Sequence, residues 1–216
     1  MVLISHSNKF IFIKTIKTAS TSVETFFERY CNGKGDVIGC RGGNISPNKG
    51  TSECKISNTP KNAIIDGKIG WYHHMPPKRI IDKLGEKTWN NHFKFTTVRN
   101  PWDAMVSLYF FMGIEKGIEF KEWVKKYRVP LGNWKKYTLN DKVCVDFFIR
   151  YENLIEDVKK VIAHLNLDIP EDFKLPSHHS NFRKEKKHYS EYYDEETKKI
   201  VYELNKKEID YFGYIF

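Results

Sequence analysis

The sequence predicts an α/β domain built on a central, mainly parallel sheet, and three observations carry that expectation. Short continuous apolar runs of the kind buried parallel strands show occur at residues 10–13 (FIFI) and 143–149 (VCVDFFI). A third run, FKFTTV at 93–98, is rich in β-branched and aromatic residues. Each of the three is followed by a segment with helical periodicity, and strands alternating with helices indicate a parallel sheet.

The elements follow in order. After FIFI, Val23, Phe26, Phe27 and Tyr30 recur at helical spacing. Thr21 or Ser22 as the cap, with Glu24 or Glu28 in the following turns, fits a helix start there. Residues 32–62 are rich in Gly, Asn, Ser and Pro and read as a surface insertion with a hairpin inside. Pro76 to Leu84 reads as a short helix with proline in its first turn. Met105, Val106, Leu108, Tyr109 and Met112 mark a helix after the 93–98 strand, and Glu119 to Tyr127 another. Leu154, Ile155, Val158, Val161, Ile162 and Leu165 share one helix face. A last helix, Asp194 to Glu208, leads into an aromatic tail, YFGYIF, expected to dock on the core. At 216 residues the chain is expected to be a single domain, 1–216, with its insertion at about 32–62.

Composition narrows the function classes. With 36 Lys and Arg against 27 Asp and Glu, the formal charge is +9, which favours an anionic ligand: nucleic acid, phosphate, sulfate or an acidic glycan. Lysine pairs such as Lys159-Lys160 and Lys198-Lys199 equally fit a solvated surface. Cysteines at 31, 40, 54 and 144 match neither paired zinc ligands nor a disulfide framework, so reduced thiols are expected. His178-His179 with His188 reads as a polar loop, and no metal is expected. No apolar run reaches membrane-spanning length and MVLISHSNKF lacks a signal-peptide layout, so a soluble, cytoplasmic chain is expected.

The stretch KTIKTASTSVETFF places a tight polar turn between a strand and a helix. The N–H groups of the first helical turn and the helix dipole converge there, hydroxyls add donors, and Lys17 adds a point charge. That is a phosphate cradle, or else an ordinary capped helix. The signature GxxxxGK[ST] is absent, and Lys17 precedes the hydroxyl cluster, so a nucleoside triphosphatase is disfavoured. A second strand–helix junction holds Arg99 at a strand end and Ser107 in the following helix.

Together, KTASTS and FKFTTVRNPWDAMVSLYFF resemble the sulfotransferases that use 3′-phosphoadenosine 5′-phosphosulfate (PAPS). In that family a PKxxxTS turn binds the 5′-phosphosulfate, and an RNPxDxxVSxY element binds the 3′-phosphate through its Arg and Ser. Lys17, Thr18, Ala19, Ser20, Thr21 and Ser22 match the first element. Arg99, Asn100, Pro101, Asp103, Val106, Ser107 and Tyr109 match the second. The segments RYENLIEDVKKVIAHLNL and YYDEETKKIVYELNKKEIDYFGYIF extend the likeness, while 32–62 and parts of 113–142 have no counterpart. The pattern is most similar to the carbohydrate-type branch, including uronyl and heparan 2-O-sulfotransferases. It departs at Ile16, where the family usually has proline.

The resemblance implies a P-loop-like, three-layer fold and PAPS as cofactor. It implies Lys17 as the group that stabilises the leaving phosphate and a histidine base in GWYHHMPPKRI, with His74 preferred over His73. Such a base is expected to titrate near the ordinary value of about 6.5. It also implies a late basic loop over the 3′-phosphate, with Arg183 and, behind it, Lys184. The implied acceptor is a saccharide or another small hydroxyl compound; an amine is the other chemical option. Trp102 is expected in the core more than at the cofactor. A non-catalytic anion-, glycan- or nucleic-acid-binding module would explain the charge but not two cofactor-like elements, and no nucleic-acid motif is present. An atypical P-loop kinase lacks its Walker sequence.

Overall fold

The computed structural model describes residues 2–40, 53–56, 64–65, 68–69, 71–169, 173–176 and 187–216. The strands are β1 (Leu3–Ser5), β2 (Phe10–Ile13), β3 (Val37–Cys40), β4 (Glu53–Ile56), β5 (Ile64–Ile65), β6 (Lys68–Ile69), β7 (Phe93–Val98), β8 (Thr138–Leu139), β9 (Lys142–Val143) and β10 (Phe147–Arg150). The helices are α1 (Ser20–Phe27), α2 (Pro77–Leu84), α3 (Glu86–Asn90), α4 (Pro101–Phe111), α5 (Phe120–Tyr127), α6 (Leu154–His164) and α7 (Glu195–Phe212). Six strands form one sheet in the order β10-β7-β2-β1-β3-β4. β10, β7 and β2 pair in parallel, as do β3 and β4, while β1 runs antiparallel to both its neighbours. The sheet is thus mainly parallel with one reversed strand.

Alternation along the strands builds three layers. Phe10 and Phe12 of β2 point to one face, where Val23, Phe26 and Phe27 of α1 and Val158, Val161 and Ile162 of α6 cover them. Ile11 and Ile13 point to the other, where they meet Ile80 of α2, Trp89 of α3 and Tyr137. A third apolar cluster joins α4, α5 and α7 and takes in Trp102, which is 4% exposed. The C-terminal tail docks on this cluster, Phe216 lying edge-on to Trp102 and Tyr193.

Several expectations need correction. Part of the 32–62 stretch lies in the central sheet, because β3 and β4 extend it beyond β1; they are parallel to each other and so do not form a hairpin. The rest of that stretch, apart from 32–36, lies outside the described residues. The run at 143–149 is not one strand: β9 pairs with β8, and β10 begins only at Phe147, after the Asp146 carboxylate has accepted the Lys94 N–H at 2.7 Å. Helix α1 starts at Ser20, with left-handed Ala19 at its N-cap instead of a Ser or Thr side chain. Cys31 and Cys144 carry thiols that are not in disulfides.

Candidate active site

Parallel pairing of β2 with β7 brings two loops side by side. The register Ile13↔Thr96 carries the chain out of both strands at the same end of the sheet, so residues 16–17 emerge next to Arg99. The carboxyl ends of neighbouring parallel strands are where such sheets hold ligands.

A buried hydroxyl cluster locks the first loop to the second strand. The Thr15 Oγ1 donates to the Thr97 carbonyl at 2.6 Å, and the hydroxyls of Thr15, Thr18 and Thr97 lie 2.7–2.9 Å from one another. Ser20 Oγ donates to the Thr15 carbonyl at 2.6 Å, closing the loop on itself. Lys17 and Ala19 are both left-handed, with φ near 60°, a conformation that costs about 1 kcal/mol for each non-glycine residue. The polar contacts of the cluster hold that strain. Helix α1 then begins without a side-chain cap and without an acidic residue in its first turn. The first-turn N–H groups of such a helix start, with the helix dipole, favour negative charge there.

Lys17 is half-buried, its Nζ 3.9 Å from the centre of the Phe111 ring. It has no acidic partner among the described residues. Burial, and secondarily repulsion from Arg99, lower its pKa to about 8. The Arg99 guanidinium is held on three sides. Its Nε and Nη2 contact Asp103 Oδ2 at 2.8 and 2.7 Å, Nη1 donates to the Lys17 carbonyl at 3.1 Å, and the group lies 3.8 Å over the Tyr151 ring. Tyr151 is there because β10 pairs with β7 in the register Arg150↔Val98. Ser107, half-buried, lies one turn beyond Asp103 on the same face of α4.

His74 reaches the base of the first loop. Its Nδ1 is 3.1 Å from the Lys14 carbonyl, and since a carbonyl only accepts, Nδ1 carries the proton and Nε2 keeps the lone pair. Burial first, and then nearby cations including Lys14 and Lys136, lower its pKa to about 3, the carbonyl contact opposing them. The expectation of an ionisation near 6.5 is therefore corrected: this imidazole is neutral far below neutrality. His73 is half-buried, its ring centre 6.1 Å from that of His74. Beneath both, Lys14 Nζ pairs with Glu24 Oε2 at 2.5 Å in the interior. Burial alone would raise the Glu24 carboxyl, but surrounding cations, Lys14 among them, hold it at about 2.

Most of the residues singled out from the sequence converge here: Lys17 to Ser22, Arg99 and Ser107, with His74 beside the loop. Arg183, Lys184 and the His178-His179 pair lie outside the described residues. His188 caps the 3₁₀ turn 189–192, its Nδ1 2.7 Å from Ser190 Oγ, and no metal-binding cluster exists among the described residues. Thr15, Thr97, Phe111, Asn133 and Tyr151 were not singled out. The two threonines flank strand ends and were open to view; the other three act through contacts distant in sequence.

Comparison with known proteins agrees with this architecture. A profile of the sulfotransferase family matches residues 1–215. The chain belongs to the sulfotransferase family. An uncharacterized protein of Archaeoglobus fulgidus is 34% identical over 118 residues, which is 51% of this chain and 98% of that relative. The crystal structure of mouse sulfotransferase SULT7A1 complexed with PAP aligns with a TM-score of 0.50 and 15% identity, over 94% of this chain and 85% of that one. A likeness at that identity speaks for the fold.

Proposed function

We propose that the chain transfers a sulfuryl group from PAPS to the hydroxyl of an acceptor, a carbohydrate in the reading favoured here. The observation that carries it is the meeting of two anion-directed loops at the carboxyl ends of β2 and β7, one presenting Lys17 and an uncapped helix start, the other an oriented Arg99. The donor set suits an anionic ligand, since among the described residues no carboxylate pairs with Lys17 or sits in the first turn of α1. A mouse relative of the same fold was crystallised with PAP, which supports the choice of cofactor. The saccharide preference rests on the KTASTS pattern and the +9 charge.

In this reading PAPS, when bound, supplies a sulfuryl group whose bond to the phosphate oxygen breaks as the acceptor oxygen bonds to sulfur. Loop N–H groups, including those of Thr18, Ala19 and Ser20, and the hydroxyls of Thr21 and Ser22 orient the 5′ end, while the Thr18 and Ser20 hydroxyls, bonded inside the loop, hold its shape. Lys17 meets the charge that grows on the departing phosphate oxygen, which is where a preorganised cation contributes most. Arg99 and Ser107 hold the 3′-phosphate, remote from the reaction. His74 Nε2 takes the acceptor's proton; the Nδ1 contact with the Lys14 carbonyl fixes the tautomer that leaves this lone pair available. Arg183 and Lys184 would close over the 3′-phosphate.

Calorimetric titration with adenosine 3′,5′-bisphosphate and with ATP tests the cofactor. Binding of the bisphosphate at least about 100-fold tighter than ATP is expected, a gap of about 3 kcal/mol. Equal or tighter binding of ATP would turn the reading toward a kinase. Transfer of labelled sulfate across a panel of saccharides, simple alcohols and amines then tests the acceptor.

A further inference from the structure

The loop that carries Lys17 is held from a second side by a residue far away in the chain. The side-chain amide of Asn133 makes both possible contacts with the backbone of Ile16: its Oδ1 accepts from the Ile16 N–H at 2.7 Å, and its Nδ2 donates to the Ile16 carbonyl at 3.0 Å. The amide thus acts as a one-residue strand partner for the residue before Lys17. Asn133 is 1% exposed, so these are its means of satisfying a buried amide, and breaking them strands polar groups on both sides. The segment is itself tied back. Leu131 N–H donates to Asn205 Oδ1 at 3.2 Å, and Asn205 Nδ2 donates to the Val201 carbonyl at 3.0 Å, at a point where α7 leaves helical geometry. A continuous line of amide contacts therefore runs from the kink in α7 through 131–133 to the loop. On the opposite side the threonine cluster grips Thr15 and Thr18. Ile16 and Lys17 lie between the two grips, and Lys17 is in a left-handed conformation that the loop would not keep unaided.

We propose that Asn133 is a positioning residue for sulfuryl transfer, splinting Ile16 so that Lys17 stays aimed at the leaving oxygen. It touches no reacting atom and acts through the backbone of the loop. The proposal rests on the sulfuryl-transfer reading above, and the test separates the two. Asn133→Ala removes both contacts, and Asn133→Leu removes them while keeping nearly the same shape, so that at least one variant retains the packing. Amide hydrogen exchange is expected to show the Ile16 N–H losing about 10-fold or more of its protection in either variant. Turnover, normalised to the number of adenosine 3′,5′-bisphosphate sites found by calorimetry, should fall about 10- to 100-fold. With Lys17 titrating at about 8, kcat/KM is expected to fall on an alkaline limb there, and that limb should move upward in the variants, because a loosened Lys17 leaves Phe111 and Arg99 for water. A loss of folded protein alone would not move that limb. Tyr137→Phe, which removes the 2.8 Å bond to Glu208 in the same segment, serves as the destabilised control and should keep site-normalised turnover within about 2-fold. Unchanged Ile16 exchange, or normal site-normalised turnover with an unmoved limb in Asn133→Leu, overturns the proposal while leaving the sulfotransferase reading intact. If the wild-type protein binds no bisphosphate and transfers no sulfate, the reading itself falls and the positioning role falls with it.

Discussion

At the scale of single residues, two protonation states govern the proposed reaction near neutrality. In the proposed transfer Lys17 has to be charged to meet the leaving oxygen, and burial with Arg99 nearby lowers its pKa to about 8. Its charge is present below that pH and lost above it, so kcat/KM of the wild type should decline as pH rises through about 8. Lys17→Arg should abolish this alkaline decline, since a guanidinium does not titrate there, whereas Lys17→Ala should lower turnover by about 10²–10³-fold. A pH profile that keeps the same decline in the arginine variant would exclude Lys17 as its source. His74 has the opposite requirement. As the proposed base it has to be neutral to accept a proton, and with its pKa lowered to about 3 it is neutral throughout the range in which the protein would be assayed. With an alcohol acceptor, kcat/KM should therefore stay level between about pH 5 and 7, while His74→Ala should cost about 10²–10⁴ in rate with little change in cofactor affinity. His73→Ala should cost less; the reverse order would exchange their roles.

At the scale of elements, Arg99 links a strand end, a helix and a loop, so its loss should be felt as affinity. With its side chain 11% exposed and fixed by Asp103, Arg99→Ala should weaken cofactor binding by about 2–4 kcal/mol. It should also erode discrimination between PAPS and adenosine 5′-phosphosulfate. Undiminished discrimination would show that the guanidinium only ties Lys17 to Asp103. These elements were legible because their signals are local: the apolar runs of β2 and β7, the helical spacing of Val23, Phe26 and Phe27, and the dense motif at 99–109. Strand β1 escaped notice because three residues carry no periodicity. β3 and β4 were hidden by their Gly-, Asn- and Ser-rich surroundings, since sheet membership there comes from pairing partners and not from propensity. Asn133 left no signal, because its partner lies 117 positions away and nothing in its own neighbourhood indicates an anion loop.

At the scale of the whole molecule, a buried acid connects packing to pH. Glu208 is 2% exposed and accepts the Tyr137 hydroxyl at 2.8 Å. Burial raises its carboxyl to about 7, the hydrogen bond opposing it. Below about pH 4.5 it is neutral in both folded and unfolded chains. As pH rises toward 7 the unfolded chain sheds the proton first, and folding loses stability on the order of 3 kcal/mol by pH 8. Glu208→Gln should thus be more stable than the wild type in urea at pH 8, the advantage vanishing toward pH 4.5; an equal loss at both would exclude the effect. The reversed strand has a consequence in time. β1 sits between β2 and β3, so among the described residues it joins the β10-β7-β2 half of the sheet to the β3-β4 half. The β1–β2 pairing closes within a few residues, Ser5 opposite Phe10, whereas β2–β7 must bring together positions 83 apart, as at Ile13 and Thr96. The cheap local closure comes first and becomes the template on which the distant strands add. Stopped-flow refolding should then show Ile4→Val slowing the folding arm and Ile38→Val chiefly quickening the unfolding arm. The opposite pattern would mean that the outer strands organise the sheet and the hairpin is the last piece to arrive.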